Sequence, residues 1–265
     1  MAAKPTGRMH DPDHWDQTAA HYEQTAHPFT VQFADDALAM LPVGPGKRVL
    51  DIATGTGALA RGAARLGAEV LATDFSPAMV ERAIAGGPPN LTGRPMNGEA
   101  LDLADATFDA VFSIFGVVLF ADWRSGLREM ARVTRPGGHG VIATWREEGA
   151  ATFLLLRQIL RDLYPERPPV AAMPEGVTVL GEPELLVAEL CAAGFREVRF
   201  EFRTHDYLLE LPGLDTADKL FGMSPDWVAL DEAQQAAVIA EVRRRAAGAA
   251  VLPIPSTALI AVATR

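Results

Sequence analysis

The segment Asp51-Ile52-Ala53-Thr54-Gly55-Thr56-Gly57 places two glycines, two hydroxyls and a carboxylate within seven residues. Such a run suits a tight strand-to-helix turn whose backbone a ligand can approach, because glycine lets the chain reverse with no side chain in the way. A second carboxylate, Asp74, stands 17 residues after Gly57, at the end of the next apolar run. In a doubly wound sheet that position lies beside the glycine turn, where a carboxylate can accept both hydroxyls of a ribose. Gly55-Thr56-Gly57-Ala58-Leu59-Ala60 also fits the G-x-G-x-x-A spacing of dinucleotide sites. The indicated chemistry is nucleoside binding. Histidines add candidate proton carriers: His10, His14, His21 and His27 cluster near the N-terminus, and His205 precedes Tyr207. His27 and His205 are the candidate catalytic bases. His139 opens a strand, at the end remote from ligands, and is set aside.

The elements that must position these groups are legible in the periodicity. Residues 11–41 carry apolar positions three and four apart, the pattern of amphipathic helices, divided at Pro28. From residue 48 short apolar runs alternate with helices. Strands are expected at 48–52, 68–73, 93–96, 108–113, 140–144, 197–203 and 257–264, with helices at 57–66, 77–85, 123–134 and 182–193. Apolar strands alternating with helices predict an α/β fold: a Rossmann-like, doubly wound, mostly parallel seven-stranded sheet. Residues 1–42 form an N-terminal helical lid on this reading. The remaining 43–265 form the main domain, with helical cap insertions near 147–180 and 208–250. The cap run Leu220-Phe221-Gly222-Met223 with Trp227 is apolar, and Trp145 ends a strand at the ligand edge.

Composition limits the partners. With 24 basic and 34 acidic residues among 265, the net charge is −10, against a nucleic-acid binder. The densest basic run, Arg243-Arg244-Arg245, lies on a helical pattern near Glu241. One cysteine excludes an internal disulfide and a cysteine-rich zinc site. Cys191 is read as a small buried hydrophobe, and no metal is expected. No signal-peptide core or membrane span is legible, so a cytoplasmic protein is expected. A short-chain reductase would need Tyr-x-x-x-Lys, and no lysine follows Tyr22, Tyr164 or Tyr207 at that distance.

Further motifs give the turn its context. Asn97-Gly98-Glu99-Ala100-Leu101 precedes the strand Phe108-Asp109-Ala110-Val111-Phe112-Ser113. The run Arg128-Glu129-Met130-Ala131-Arg132-Val133-Thr134-Arg135-Pro136-Gly137-Gly138 follows it. This ordered set, over roughly residues 15–146, resembles class I S-adenosylmethionine-dependent methyltransferases. The likeness is to their small-molecule branch, the ubiquinone/menaquinone (type 11) enzymes. The resemblance implies S-adenosylmethionine as cofactor and S-adenosylhomocysteine as product. It places Ala53, Thr54 and Gly55 at the methionine moiety, with Asp51 ordering the loop or meeting the ammonium group. Asp74 would take the ribose, Phe75 and Met79 cover the adenine, and Glu99 accept from its amine. Ala100 would add an N–H, Asn97 and Gly98 shape that loop, Ser113 and Phe115 line the methionine side, and Tyr22 close the lid.

The implied activity is methyl transfer to a small organic acceptor at oxygen or carbon, with a homodimer allowed. The alternative is a methyltransferase fold that binds cofactor without transfer, as a cyclase or regulatory scaffold. No Asn-Pro-Pro-Tyr-type motif follows the fourth strand, where Ser113-Ile114-Phe115-Gly116 stands instead, which argues against protein or RNA substrates. Two departures stand out. Ala53 replaces the family's first glycine and is expected to keep a negative φ. Leu101-Asp102-Leu103 stands where Leu-Pro-Phe is usual.

Overall fold

A computed structural model describes residues 10–146, 152–169, 173–216, 221 and 224–265. The chain divides into two compact units: Met1–Thr144, Pro174–Arg203 and Ala258–Arg265 form the first, and Trp145–Met173 and Thr204–Thr257 the second.

In the first unit two helices, α1 (Pro12–Thr25) and α2 (His27–Ala39), precede the sheet. The break between them falls at Ala26, and Pro28 sits inside the first turn of α2. Proline is accommodated there because the first-turn N–H groups have no intrahelical acceptor. Strand β1 (Arg48–Ile52) leads to α3 (Ala58–Arg65), β2 (Glu69–Asp74) to α4 (Pro77–Ile84), and β3 (Leu91–Pro95) to β4 (Phe108–Ile114). Then come α5 (Trp123–Val133), β5 (Thr134–Trp145), α6 (Thr152–Leu163), α7 (Glu175–Leu180) and α8 (Pro183–Ala193). Strand β6 (Arg196–Glu210), α9 (Pro225–Val228), α10 (Glu232–Ala246) and β7 (Val251–Thr264) complete the described elements.

The seven strands form one sheet in the order β3-β2-β1-β4-β5-β7-β6. The pairs β3–β2, β2–β1, β1–β4 and β4–β5 are parallel. Burial explains their apolar runs: Val49, Leu50, Val111 and Phe112 are fully buried, as expected of parallel strands covered on both faces. Strand β5 begins earlier than the expected Gly140, because Gly137 and Gly138 exchange backbone hydrogen bonds with Arg265 (both 2.9 Å). That ladder converts the anticipated turn into strand.

Cys191 corrects an expectation. It is exposed, because Leu186 and Leu190, four apart on α8, are the residues turned inward. The basic run is also locally neutralised: Arg244 and Arg245 donate to Glu241 (2.6 and 2.8 Å), and Arg245 to Asp162 (2.6 Å). The second unit has its own core, including Leu156, Ile159, Phe221, Trp227, Val238 and Val242. Leu220, Gly222 and Met223 of the cap run lie outside the described residues. No helix among the described residues is long and apolar enough to cross a membrane.

Gly57 fixes how closely α3 and α4 approach. Its φ is 85°, and a Cβ there would stand 2.9 Å from both Cα and O of Ala83. Gly57→Ala must therefore both strain the backbone and push α4 aside. A loss of at least about 2 kcal/mol in denaturant unfolding is expected, and an unchanged midpoint would contradict this account.

Candidate cofactor site

The C-terminal ends of β1 and β2 bring Asp51 and Asp74 beside the glycine turn. Asp51 is buried, and its Oδ2 accepts from Thr54 Oγ1 (2.6 Å) and Ala60 N (3.1 Å). It thus ties the turn to the first turn of α3. Asp74, also buried, accepts from Gly55 N through Oδ2 and from Ser76 N through Oδ1, both at 3.0 Å. Burial pushes the Asp51 carboxyl up to about 7, opposed by its bonds to Thr54 and Ala60. Burial likewise lifts Asp74 to about 6, against the N–H groups of Ser76, Gly55 and Phe75. Two carboxylates held in this way suit a ligand that carries a cation and vicinal hydroxyls.

Ala53 overturns the expectation of a negative φ: it stands at 54°, with Gly55 at 53° and Gly57 at 85°. These left-handed residues reverse the chain tightly, and the N–H groups of Thr54, Gly55 and Gly57 are taken up by Thr73 O, Asp74 and Thr54 O. Alanine adopts this conformation at a cost of about 1–2 kcal/mol, held by the bonds of Asp51 and Asp74 around it.

Helix α1 reaches this turn. A Cβ on Gly55 would lie 3.6 Å from Tyr22 Cε1, so the tyrosine ring covers the backbone there. Burial raises its phenol to about 12. Trp15 meets Tyr22 edge to face at 6.1 Å. Asp16 Oδ1 accepts from Ser76 Oγ (2.5 Å) and Ala78 N (3.1 Å), which pins α1 to the start of α4. Glu23 pairs with Arg82 beside it. His27 Nδ1 bonds Thr56 Oγ1 at 2.8 Å, and burial with the Arg61 charge lowers its pKa. His205 lies on β6 in the second unit, partly buried.

A small pocket is lined by Tyr22, Thr30, Asp51, Ala53, Gly55 and Ile114, among others. Ser113 and Phe115, which the resemblance places on the methionine side, flank Ile114 at the end of β4. Ser113 is fully buried, its Oγ accepting from Val117 N (2.9 Å) to shape the following turn. Phe115 has φ 61° and packs edge to face on Phe33 at 5.3 Å. Ile114, the lining residue, was missed because strand alternation exposes every second residue to one face, and the apolar run hides which. Met79 is fully buried in α4, whereas Phe75 is partly exposed.

On the acidic loop, Asn97 Oδ1 accepts from Glu99 N (2.9 Å) and its carbonyl from Ala100 N (3.1 Å). Gly98 is buried; its Cβ would meet the Phe120 ring at 2.5 Å. Glu99 Oε1 accepts from Asp122 N (2.9 Å), so this carboxylate also steadies the start of α5. The loop's main anchor is Arg132, a member of the Arg128–Gly138 motif whose role in the loop no local pattern marks. It donates to Leu101 O (2.9 Å), Leu103 O (2.7 Å), Asp105 (2.6 Å) and Glu129 (2.7 Å).

Residues 50–142 match the family model described as a methyltransferase domain. The chain is 35% identical over 170 residues to a demethylmenaquinone methyltransferase of Corynebacterium urealyticum, covering 61% of this chain and 73% of that protein. The chain belongs to the class I S-adenosylmethionine-dependent methyltransferases. An uncharacterized protein of Mycobacterium tuberculosis is 34% identical over 183 residues, 68% of this chain and 63% of its own length. The chain thus spans under two thirds of that relative. A solved SAM-dependent methyltransferase of Thermotoga maritima shares the fold, with TM-score 0.57 at 17% identity over 95% of this chain and 98% of that one.

The cofactor of this family is S-adenosylmethionine, and the donor set fits it. Buried Asp51 and the backbone of Ala53, Thr54 and Gly55 line the pocket, and buried Asp74 stands behind them, bonded to Gly55 N.

Two predictions follow from the raised carboxyls and the strained alanine. Without ligand, folded Asp51 and Asp74 retain protons that the unfolded chain has released, so this contribution to stability falls as pH rises from about 4 to 7. Asp51→Asn should flatten that fall in melting temperature, and an unaltered pH profile would refute the assignment. Ala53→Gly should be neutral or stabilising by up to about 1 kcal/mol, while β-branched Ala53→Val should lose about 2 kcal/mol or more in urea unfolding.

Proposed function

We propose that the protein transfers the methyl group of S-adenosylmethionine to a small organic acceptor, at oxygen or carbon. The observation that carries this reading is the pair of buried carboxylates, Asp51 and Asp74, bracketing the left-handed turn under Tyr22. When bound, the cofactor supplies a methyl group on a cationic sulfur, already activated toward in-line displacement. The protein's task is then to orient two reactants and exclude water, and orientation alone is worth about 7–11 kcal/mol.

Asp74 would accept the ribose hydroxyls while keeping its bonds to Gly55 and Ser76. Asp51 would face the ammonium group, with Ala53, Thr54 and Gly55 offering their backbone along the methionine moiety. Phe75 and Met79 would bound the adenine, with Asn97, Gly98, Glu99 and Ala100 closing its edge. Tyr22 would shut the methionine side, alongside Ser113 and Phe115 at the end of β4. Where the acceptor carries a proton, His27 or His205 would take it. His27 is favoured by its bond to Thr56 in the turn itself, which leaves Nε2 as its other proton-carrying atom. The name of one set of relatives points to a quinone, so ring carbons and oxygens of quinones and phenols are the first acceptors to test. A cytoplasmic setting suits such chemistry.

Calorimetric titration with S-adenosylhomocysteine tests the cofactor half of this reading. Micromolar binding is expected, weakened at least about tenfold, or 1.4 kcal/mol, by Asp74→Ala. Binding should tighten between pH 6 and 8 as Asp51 and Asp74 ionise against the ligand's ammonium group and hydroxyls. Proton release should appear as heats that differ between buffers of unlike ionisation enthalpy. Folded, ligand-free protein that fails to bind would sink the proposal. Transfer itself is tested by methyl appearing on an acceptor, which separates an enzyme from a scaffold.

A further inference from the structure

Strand β6 ends the sheet order, with β7 as its neighbour. Its residues 197–203 read Glu-Val-Arg-Phe-Glu-Phe-Arg. An edge strand of this length offers a row of backbone donors and acceptors, which proteins usually blunt with charge or irregularity. Here the charges follow a pattern that suits one occupant.

Rotated by a two-fold axis at Phe200, the segment is complementary to itself. Antiparallel pairing about that centre sets Arg199 opposite Glu201 of the second copy, and Glu197 opposite Arg203. By symmetry each ion pair occurs twice. On the other face the same register sets Phe200 against Phe200, and Val198 against Phe202. Phe200 and Phe202 are 39% and 47% exposed and already touch edge to face at 5.8 Å. A shift of one residue would oppose unlike sets and lose both the charge and the aromatic match.

The backbone register agrees. Leu211 N donates to Ala250 O (2.9 Å), and Thr204 faces Thr257 with hydroxyls 2.8 Å apart, so β6 keeps one antiparallel register on β7 between them. Odd-numbered residues therefore direct their N–H and C=O toward β7, and even-numbered ones toward the edge. Phe200 would exchange both backbone bonds with its symmetry mate. The charged odd residues would fall in the non-hydrogen-bonded pairs, where side chains lie closer. Glu197 has φ 51°, which bends the strand and confines the match to a short central stretch.

Within one copy, Arg199 donates to Met40 O (2.5 Å) beside α2, while Arg203 lies 3.5 Å from Asp36 on α2 and pairs with Glu201 of its own strand, whose second carboxylate oxygen remains for a partner. A guanidinium has five N–H donors, so these contacts orient the arginines and leave donors for a partner. We infer that β6 is the docking edge for a second copy of this chain, joined as a two-fold dimer centred on Phe200. Its ion pairs select register and partner more than they add affinity.

The full chain, studied by sedimentation at low salt, should form a dimer that weakens as salt rises. Arg199→Glu alone and Glu201→Arg alone each bring like charges together and should weaken dimerisation at least about tenfold. An equal mixture of the two variants restores opposite charges at both positions and should dimerise again. A second set guards against loss of folding: Phe200→Glu and Phe200→Lys should each stay monomeric and pair when mixed. Circular dichroism checks each variant's fold. A wild-type chain that stays monomeric would overturn the inference. So would single variants that dimerise like wild type, or mixtures that fail to pair.

Discussion

The carboxylate of Asp74 is the joint on which the site depends. One oxygen holds the N–H of Gly55 in the turn after β1, and the other holds the N–H of Ser76 at the start of α4. Two neighbouring strand ends are thereby locked in a fixed relation. The same Ser76 binds Asp16 of α1 through its hydroxyl, so the end of β2, the start of α4 and helix α1 meet at one residue. A buried carboxylate held only by neutral N–H donors retains a partial deficit of compensation. That deficit makes the joint receptive to a ligand rich in hydroxyls or positive charge.

Asp51 plays the complementary part from below. Its bonds to Thr54 and Ala60 pull the turn onto the helix that follows, and between the two carboxylates Ala53 is held at a φ that alanine seldom adopts. Strain of this sort persists only where surrounding contacts over-determine the backbone. Here those contacts are identifiable, and two of the residues that make them, Asp51 and Thr54, also line the pocket.

Much of this was legible in the residues. The short, largely apolar runs of β1, β2 and β4 announced buried parallel strands, and Asp74 at a strand end next to a glycine turn announced the site. What escaped reading had physical causes. The extension of β6 and β7 beyond the expected seven or eight residues rests on cross-strand pairing, which local periodicity does not encode. The φ of Ala53 is imposed by tertiary bonds. The bond from Val117 N to the Ser113 hydroxyl depends on the turn after β4, which the strand's own residues do not encode. Nothing in a run as apolar as Val111-Phe112-Ser113-Ile114 distinguishes the face that meets the pocket.

The clamp made by Arg132 bears on how this loop can change over generations. The guanidinium grips the carbonyls of Leu101 and Leu103, atoms that every residue possesses. Loop shape is thus specified from α5 and is largely indifferent to which side chains occupy the loop. The backbone of Leu101-Asp102-Leu103 is therefore held from outside the loop, with no proline needed at its centre to fix the path. A change of side chain at Leu101 or Leu103 leaves the carbonyls that Arg132 grips in place, whereas a change of Arg132 removes both bonds at once.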